Sequence, residues 1–143
     1  MNHMMKVALF CCLSTLPLMA ADISGKWTYE NRGGVQVWGK TNAAQMHEAE
    51  TIVLDLKVDG STLTGTMTFP RTGARNVPNT KRISNGKIDG DNLSFDLVSV
   101  LFGTQMTTHY FGKVDGDTIH FMSKAGAGAS QGTRFDAHRA ASQ

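Results

Sequence analysis

One seven-residue pattern occurs three times in this chain and restricts its fold more than any other feature. It reads Lys57-Val58-Asp59-Gly60-Ser61-Thr62-Leu63, then Lys87-Ile88-Asp89-Gly90-Asp91-Asn92-Leu93, then Lys113-Val114-Asp115-Gly116-Asp117-Thr118-Ile119. Asp-Gly between alternating apolar residues marks a tight β-hairpin, because a two-residue turn needs positive φ, which Gly and Asp tolerate. Three such hairpins in series describe a meander.

Side chains alternate between the two faces of a strand, so the flanks can be sorted by parity. With Asp59-Gly60 as the turn, one face of the first hairpin carries Ile52, Leu54, Leu56, Val58, Leu63, Gly65, Met67 and Phe69. The other carries Val53, Asp55, Lys57, Thr62, Thr64, Thr66 and Thr68. The second hairpin places Ser84, Gly86, Ile88, Leu93, Phe95 and Leu97 inside, against Ile83, Asn85, Lys87, Asn92, Ser94 and Asp96. The third places Tyr110, Gly112, Val114, Ile119 and Phe121 inside, against His109, Phe111, Lys113, Thr118, His120 and Met122.

Gly25 to Glu30 and Thr133 to Arg139 supply one strand before and one after the hairpins. Eight strands with one apolar face need either a second sheet or closure, and closure also removes unpaired edges. The expected fold is therefore all-β, a single antiparallel up-and-down barrel of about eight strands. Four stretches remain as connections: Asn31 to Glu50, with a short helix capped by Asn42; Pro70 to Thr80; Val100 to Gln105; and Lys124 to Gly132.

Alternate connections of a meander lie at opposite ends. The Asp-Gly turns thus share one closed end, and the longer connections gather at the other, which becomes the mouth. Toward that mouth the expected inner face turns from apolar to polar: Phe95, Tyr110, Phe121 and Ser84 first, then Met67, Arg82, Leu97, Thr108 and Ser123. An apolar recess with a few polar groups at its entrance is what small-molecule sites look like. The candidate ligand-binding residues are Arg82, Ser84, Tyr110, Thr108, Phe95, Met67 and Trp38, with Arg82 pairing an acidic head group and Trp38 lying in the long first connection.

Residues 1–21 differ from the rest. Lys6 lies in a short charged start, Val7 to Met19 is mostly apolar, and Ala20-Ala21 precede polar Asp22. This is the layout of a secretory signal, and the apolar run is too short to span a bilayer. The expected organisation is a signal peptide over 1–21 and a β-barrel domain over 22–143, exported to the periplasm or beyond, without a membrane span once the signal is removed. Cys11 and Cys12 both lie in that segment, so the remainder lacks thiol chemistry and disulfides. Fourteen Lys and Arg against twelve Asp and Glu leave no basic stripe for nucleic acid.

At Ser24-Gly25-Lys26-Trp27 the first strand resembles the Gly-x-Trp start of the calycin-like barrels, the lipocalin and avidin group. Thr62-Leu63-Thr64-Gly65-Thr66 is similar to an avidin-type strand. The resemblance implies that Trp27 on the first strand meets a basic residue of the last, here Arg139, at the closed end. Secreted bacterial barrels of unknown function that begin Ser-Gly-x-Trp and repeat Asp-Gly hairpins are similar too. The chain departs from the group in having no disulfide and only one further tryptophan, Trp38, so the resemblance implies a fold and no particular ligand.

His109 and His120 share an outer face, but two imidazoles fall short of the three or four ligands zinc takes. No metal, cofactor or catalytic residue is expected; Gly-x-Ser-x-Gly, His-Glu-x-x-His and phosphate-binding glycine loops are missing. Three functions fit: a small-ligand-binding barrel for an apolar or amphipathic molecule, an interaction protein with a packed core, or a calycin-like isomerase or cyclase. Phe111 and Met122 on the outer face are the expected self-association surface.

The signal assignment has a direct test. Protein recovered from the cell envelope should begin at or next to Ala21 or Asp22 by mass spectrometry. Retention of Met1 to Ala20 in that protein would overturn it.

Overall fold

The computed structural model describes residues 22–31, 50–72, 77–126 and 132–141. The signal-like segment, Trp38 and the helix expected after Asn42 lie outside the described residues. Nine strands follow in chain order: β1 (Gly25–Asn31), β2 (Glu50–Asp59), β3 (Thr62–Thr72), β4 (Val77–Arg82), β5 (Ser84–Asp89), β6 (Asn92–Leu101), β7 (Thr104–Asp115), β8 (Thr118–Ala125) and β9 (Thr133–Arg139). Among the described residues no helix is long and apolar enough to cross a membrane.

Hydrogen bonding runs in the order β2-β1-β9-β8-β7-β6-β5-β3-β4, and a further β2–β3 pairing closes the ring. All pairings are antiparallel. The result is the expected all-β closed barrel of eight strand positions, with one strand more. The extra strand arises because β4 and β5 share one edge of β3: β4 faces Thr66 to Thr72, and Lys87 of β5 faces Thr62.

The three repeated hairpins form, with their turns one residue later than the sequence implied. Asp59↔Thr62, Asp89↔Asn92 and Asp115↔Thr118 are the last pairs, so the turns are Gly60-Ser61, Gly90-Asp91 and Gly116-Asp117. Gly60, Gly90 and Gly116 take φ near +60° while the residue after each stays negative, which is the Gly-first turn preference. Sliding both strands by one residue preserves every face, so the parity survives. Ile52, Leu54, Leu56, Leu63, Met67, Leu93, Phe95, Leu97, Tyr110, Val114, Ile119 and Phe121 are all buried, with Val58 and Phe69 packed against them.

The parity fails at one place. Ser84 pairs with Asp96 but Lys87 pairs with Ser94, so the β5–β6 register shifts between them, and Asn85 sits at φ 50°. An extra residue in one strand is a β-bulge, and it reverses inside and outside for everything upstream. Ile83, expected outside, is buried in the core. Arg82 and Ser84, expected inside, are exposed on the outer wall.

Two expected connections are strands instead. β3 runs on through Pro70 to Thr72, and β4 already starts at Val77. Pro78 is accommodated because β4 pairs only with β3 and is an edge there. Between β6 and β7 the expected Val100–Gln105 connection shrinks to the two-residue turn Phe102-Gly103, with Leu101 paired to Thr104.

Closure forces two backbones very close. A Cβ on Gly86 would lie 1.9 Å from the Leu63 carbonyl oxygen, and one on Gly65 would lie 2.0 Å from that of Asp55. Neither obstacle is a side chain that could swing away. Gly86→Ala should therefore destabilise by about 3 kcal/mol, the upper range for overpacking, whereas Ser61→Ala in an exposed turn should stay within about 0.5 kcal/mol. Urea unfolding of both variants checks this; an unchanged midpoint for Gly86→Ala would contradict the closure argument.

Candidate functional site

The lower interior is filled. Trp27, Ile23, Leu54, Leu56, Leu63, Ile88 and Ile119 are buried at the closed end. Above them rings pack on one another: Phe95 and Tyr110 are stacked with centroids 4.9 Å apart, Phe121 and Phe135 at 5.2 Å, Tyr29 and Phe135 at 4.2 Å. Phe95 and Met67, expected to line a site, are part of this floor. A ligand would meet the layer above it.

That layer is built by the bulge. Lys81 pairs with buried Met67 and so lies on the inner face. Its Nζ donates a hydrogen bond to Ser99 Oγ, and Ser99 shares the inner face of β6 with buried Leu97. Lys81 and Ser99 continue the Ser84↔Asp96 register across a seam where β4 and β6 have no backbone pairing. Lys81 is thus the inward cation that parity alone had assigned to Arg82. Asn85-Gly86 was the available signal, since Asn-Gly inside a strand pattern marks an irregularity.

Of the other expected site residues, Tyr110 is buried on the inner face and Thr108 is half-buried beside it, opposite Leu97. Ser84 Oγ donates to the Asp96 carbonyl oxygen on the outer wall at 3.3 Å. Tyr29 joins Tyr110, and this was not anticipated. Burial pushes the Tyr29 phenol above its ordinary value of 10, and the neighbouring Tyr110 adds to the rise; burial raises Tyr110 as well. Both phenols therefore stay neutral across the physiological range and keep a proton to donate.

The closed end carries a second constellation. The Arg139 guanidinium carbon lies 4.4 Å over the Trp27 ring. Arg139 Nε donates to Asp117 Oδ1 at 3.1 Å, and its terminal nitrogens donate to the carbonyls of Ser24 (3.2 Å) and Asp22 (2.8 Å). Trp27 Nε1 donates to the Ile23 carbonyl at 2.9 Å. Every polar group here is committed to closing the barrel.

The outer wall holds two Asp–His pairs. His109 Nδ1 lies 2.6 Å from Asp96 Oδ1, and His120 Nδ1 lies 2.7 Å from Asp136 Oδ1. The carboxylates come from the flanking strands β6 and β9, which the β7–β8 sequence does not contain. Lys124 stands across from His109, and Lys113 across from His120. The two rows are related by a local twofold between Phe111 and Met122, which pair with each other. Phe111 is 46% exposed and Met122 half-buried. Among the described residues no group of three His, Cys, Asp or Glu is placed to hold a metal ion.

No family model, curated protein or solved structure matches the chain.

At Asp96 burial works to raise the carboxyl pKa, but hydrogen bonds from Asn85 and His109 and the charge of His109 outweigh it and hold the group below its ordinary 3.8. A depressed folded-state pKa contributes stability above the unfolded value, and that contribution disappears as pH falls through the folded value. Wild type should therefore lose melting temperature between pH 5 and pH 2 more steeply than Asp96→Asn, which has no such charge. Identical acid profiles for the two would rule out this coupling.

Proposed function

We propose that the protein is an exported calycin-type barrel that binds a small amphipathic molecule at its mouth, with an acidic head on Lys81 and an apolar body against the ring layer. The observation that carries this reading is the inward placement of Lys81, hydrogen-bonded to Ser99 in the layer above stacked Phe95 and Tyr110. An ammonium held at the rim of a low-dielectric recess is a site for a carboxylate, sulfonate or phosphate. The neutral phenols of Tyr29 and Tyr110 supply further donors. The calycin relationship is supported by the Trp27–Arg139 stack across the first and last strands, and export by the layout of residues 1–21.

A second reading, an interaction protein with a packed core, draws on the filled lower interior and on the exposed Phe111 beside Met122. It predicts self-association without a small ligand. No observation of its own favours the isomerase or cyclase reading.

The test is a titration of decanoate and of anilinonaphthalene sulfonate against wild type, Lys81→Ala and Arg82→Ala, read by fluorescence and by melting temperature. Lys81→Ala should weaken binding by about 1.5–3 kcal/mol, the worth of a hydrogen bond to a charged group, or roughly 10- to 150-fold. Arg82→Ala, on the outer wall, should bind like wild type. Absence of any binding to the wild type, or equal binding by all three proteins, would remove the mouth site.

A further inference from the structure

We propose that the β6–β7 hairpin is a membrane-docking finger that inserts its tip into the interface of an anionic lipid bilayer. The inference stands independently of what the mouth binds.

The hairpin continues past the end of the backbone ladders on either side of it. β6 and β7 remain paired through Val98↔Thr107, Ser99↔Met106, Val100↔Gln105 and Leu101↔Thr104. On one side the β7–β8 ladder stops at Thr108↔Ala125, and on the other the β5–β6 ladder stops at Ser84↔Asp96. Four residue pairs therefore extend past both ladders, about 13 Å of ribbon at about 3.4 Å per residue, with β4 beside β6 at Ser99. The projection is anchored at its base by the Lys81–Ser99 hydrogen bond and by Gly126 N–H donating to the Thr107 carbonyl at 2.9 Å.

The projecting part is apolar at the tip and along the outer edge of β6, with polar Thr104, Gln105 and Thr107 on the β7 side. Phe102 is 99% exposed, Val100 is 72% exposed, and Val98 and Met106 are each 39% exposed. Val98 and Val100 point to the outer side, and Met106 lies on the inner-face parity with Thr108 and Tyr110. A protein partner docking on a sheet covers one face. An exposed apolar tip on a stem with polar residues suits the bilayer interface, where the tip enters the acyl boundary and the polar groups stay among the head groups.

The tip residue is also retained against local preference. Phe102 and Gly103 have φ of 50° and 78°, so both central turn positions are left-handed. Asn, Asp or Gly is favoured at the first of these, and a bulky residue there costs on the order of 1 kcal/mol. A fully exposed, strained phenylalanine contributes to neither folding nor solubility.

Charge selects the lipid. Arg82, exposed on the outer wall, flanks the base of the finger from β4, and Lys124 flanks it from β8. The carboxylate at that level, Asp96, is engaged by His109 and Asn85. A basic collar behind an apolar tip fits anionic head groups, to which each Lys or Arg near the surface adds about 1 kcal/mol of attraction.

The experiment is vesicle flotation of the protein in the form that a bacterial host secretes. One vesicle set contains one part phosphatidylglycerol to two parts phosphatidylethanolamine; the other is phosphatidylcholine alone. Processing of residues 1–21 is the same in every variant, so differences between variants are what is read. Wild type should float with the anionic set, less with phosphatidylcholine, and less at high salt. Phe102→Gly should melt higher, because strain is relieved, yet bind the anionic vesicles at least tenfold more weakly. Arg82→Glu should lose binding to the anionic set alone. Phe102→Trp should still float, with a blue-shifted emission on vesicles. Failure of wild type to float, or equal flotation of Phe102→Gly, overturns the proposal. So does a concentration-dependent dimer, seen by sedimentation velocity without lipid, that Phe102→Gly abolishes while wild type ignores vesicles; the finger would then meet a second copy.

Discussion

Closure of the ring depends on a thin seam, where β1 meets β9. Only two residue pairs join these strands, Trp27↔Arg139 and Thr28↔His138, against ten between β6 and β7. Backbone pairing alone leaves that junction thin, so side chains hold it. At the closed end Arg139 stacks on Trp27 and donates to both sides of the junction, to Asp117 from one and to Asp22 and Ser24 from the other. Higher up, Tyr29 of β1 stacks on Phe135 of β9 at 4.2 Å. A cation over an indole contributes about 0.5–2 kcal/mol. The fixed fork of guanidinium donors then ties three chain segments at once, which a lysine ammonium would not reproduce. Without this latch β1 and β9 would be free edges, and the ring layer that floors the mouth would lose one wall.

The same latch was legible before any coordinates, because the threading brings the two ends of the meander to the closed end and the resemblance to calycin-like barrels implies the Trp27–Arg139 contact there. So were the three lower hairpins, whose alternation runs unbroken over β2–β3 and β6–β8. What could not be read was any feature set by a single residue out of step. Asn85 at φ 50° adds one residue to β5, and period-two counting has no memory of such an insertion. Everything upstream then changes side: Ile83 turns in, Arg82 turns out, and Lys81 becomes the inward cation. The histidine pairs were half-legible for a different reason. Their shared face follows from β7–β8 parity, but Asp96 and Asp136 arrive from strands whose register is fixed elsewhere. The Phe102-Gly103 turn stayed hidden because its first residue violates the preference by which such turns are recognised.

The interior divides the barrel into a structural and a chemical half. Below the ring layer the side chains interlock, and adding a Cβ at Gly112 would already crowd Phe121, Ile119 and Leu93 at 2.8–3.0 Å. Such packing stabilises the fold and leaves no space to exchange for a ligand. Above the ring layer the inner face carries Lys81, Ser99 and Thr108. Lys81 is a cation on this wall, and half-buried Glu50, on the face of β2 that buries Ile52 and Leu54, is a carboxylate on it.

Local preference is broken in one sector of the molecule. The closed end obeys the rules of turn chemistry throughout: Gly first in each tight turn, Asp beside it, alternation on both flanks. The two non-glycine residues with positive φ among the described residues, Asn85 and Phe102, both belong to the β5–β6–β7 wall. Each departure has a consequence on the mouth side. The first turns Lys81 inward; the second presents Phe102 to the outside at the end of the projecting hairpin. Sequences tend to satisfy local and global demands together except where function asks otherwise. The seam between β4 and β6, which Lys81 and Ser99 bridge without backbone pairing, lies between those two departures. A finger seated in a lipid interface would therefore place the least tightly closed edge of the barrel next to the lipid, with the inward ammonium immediately behind it.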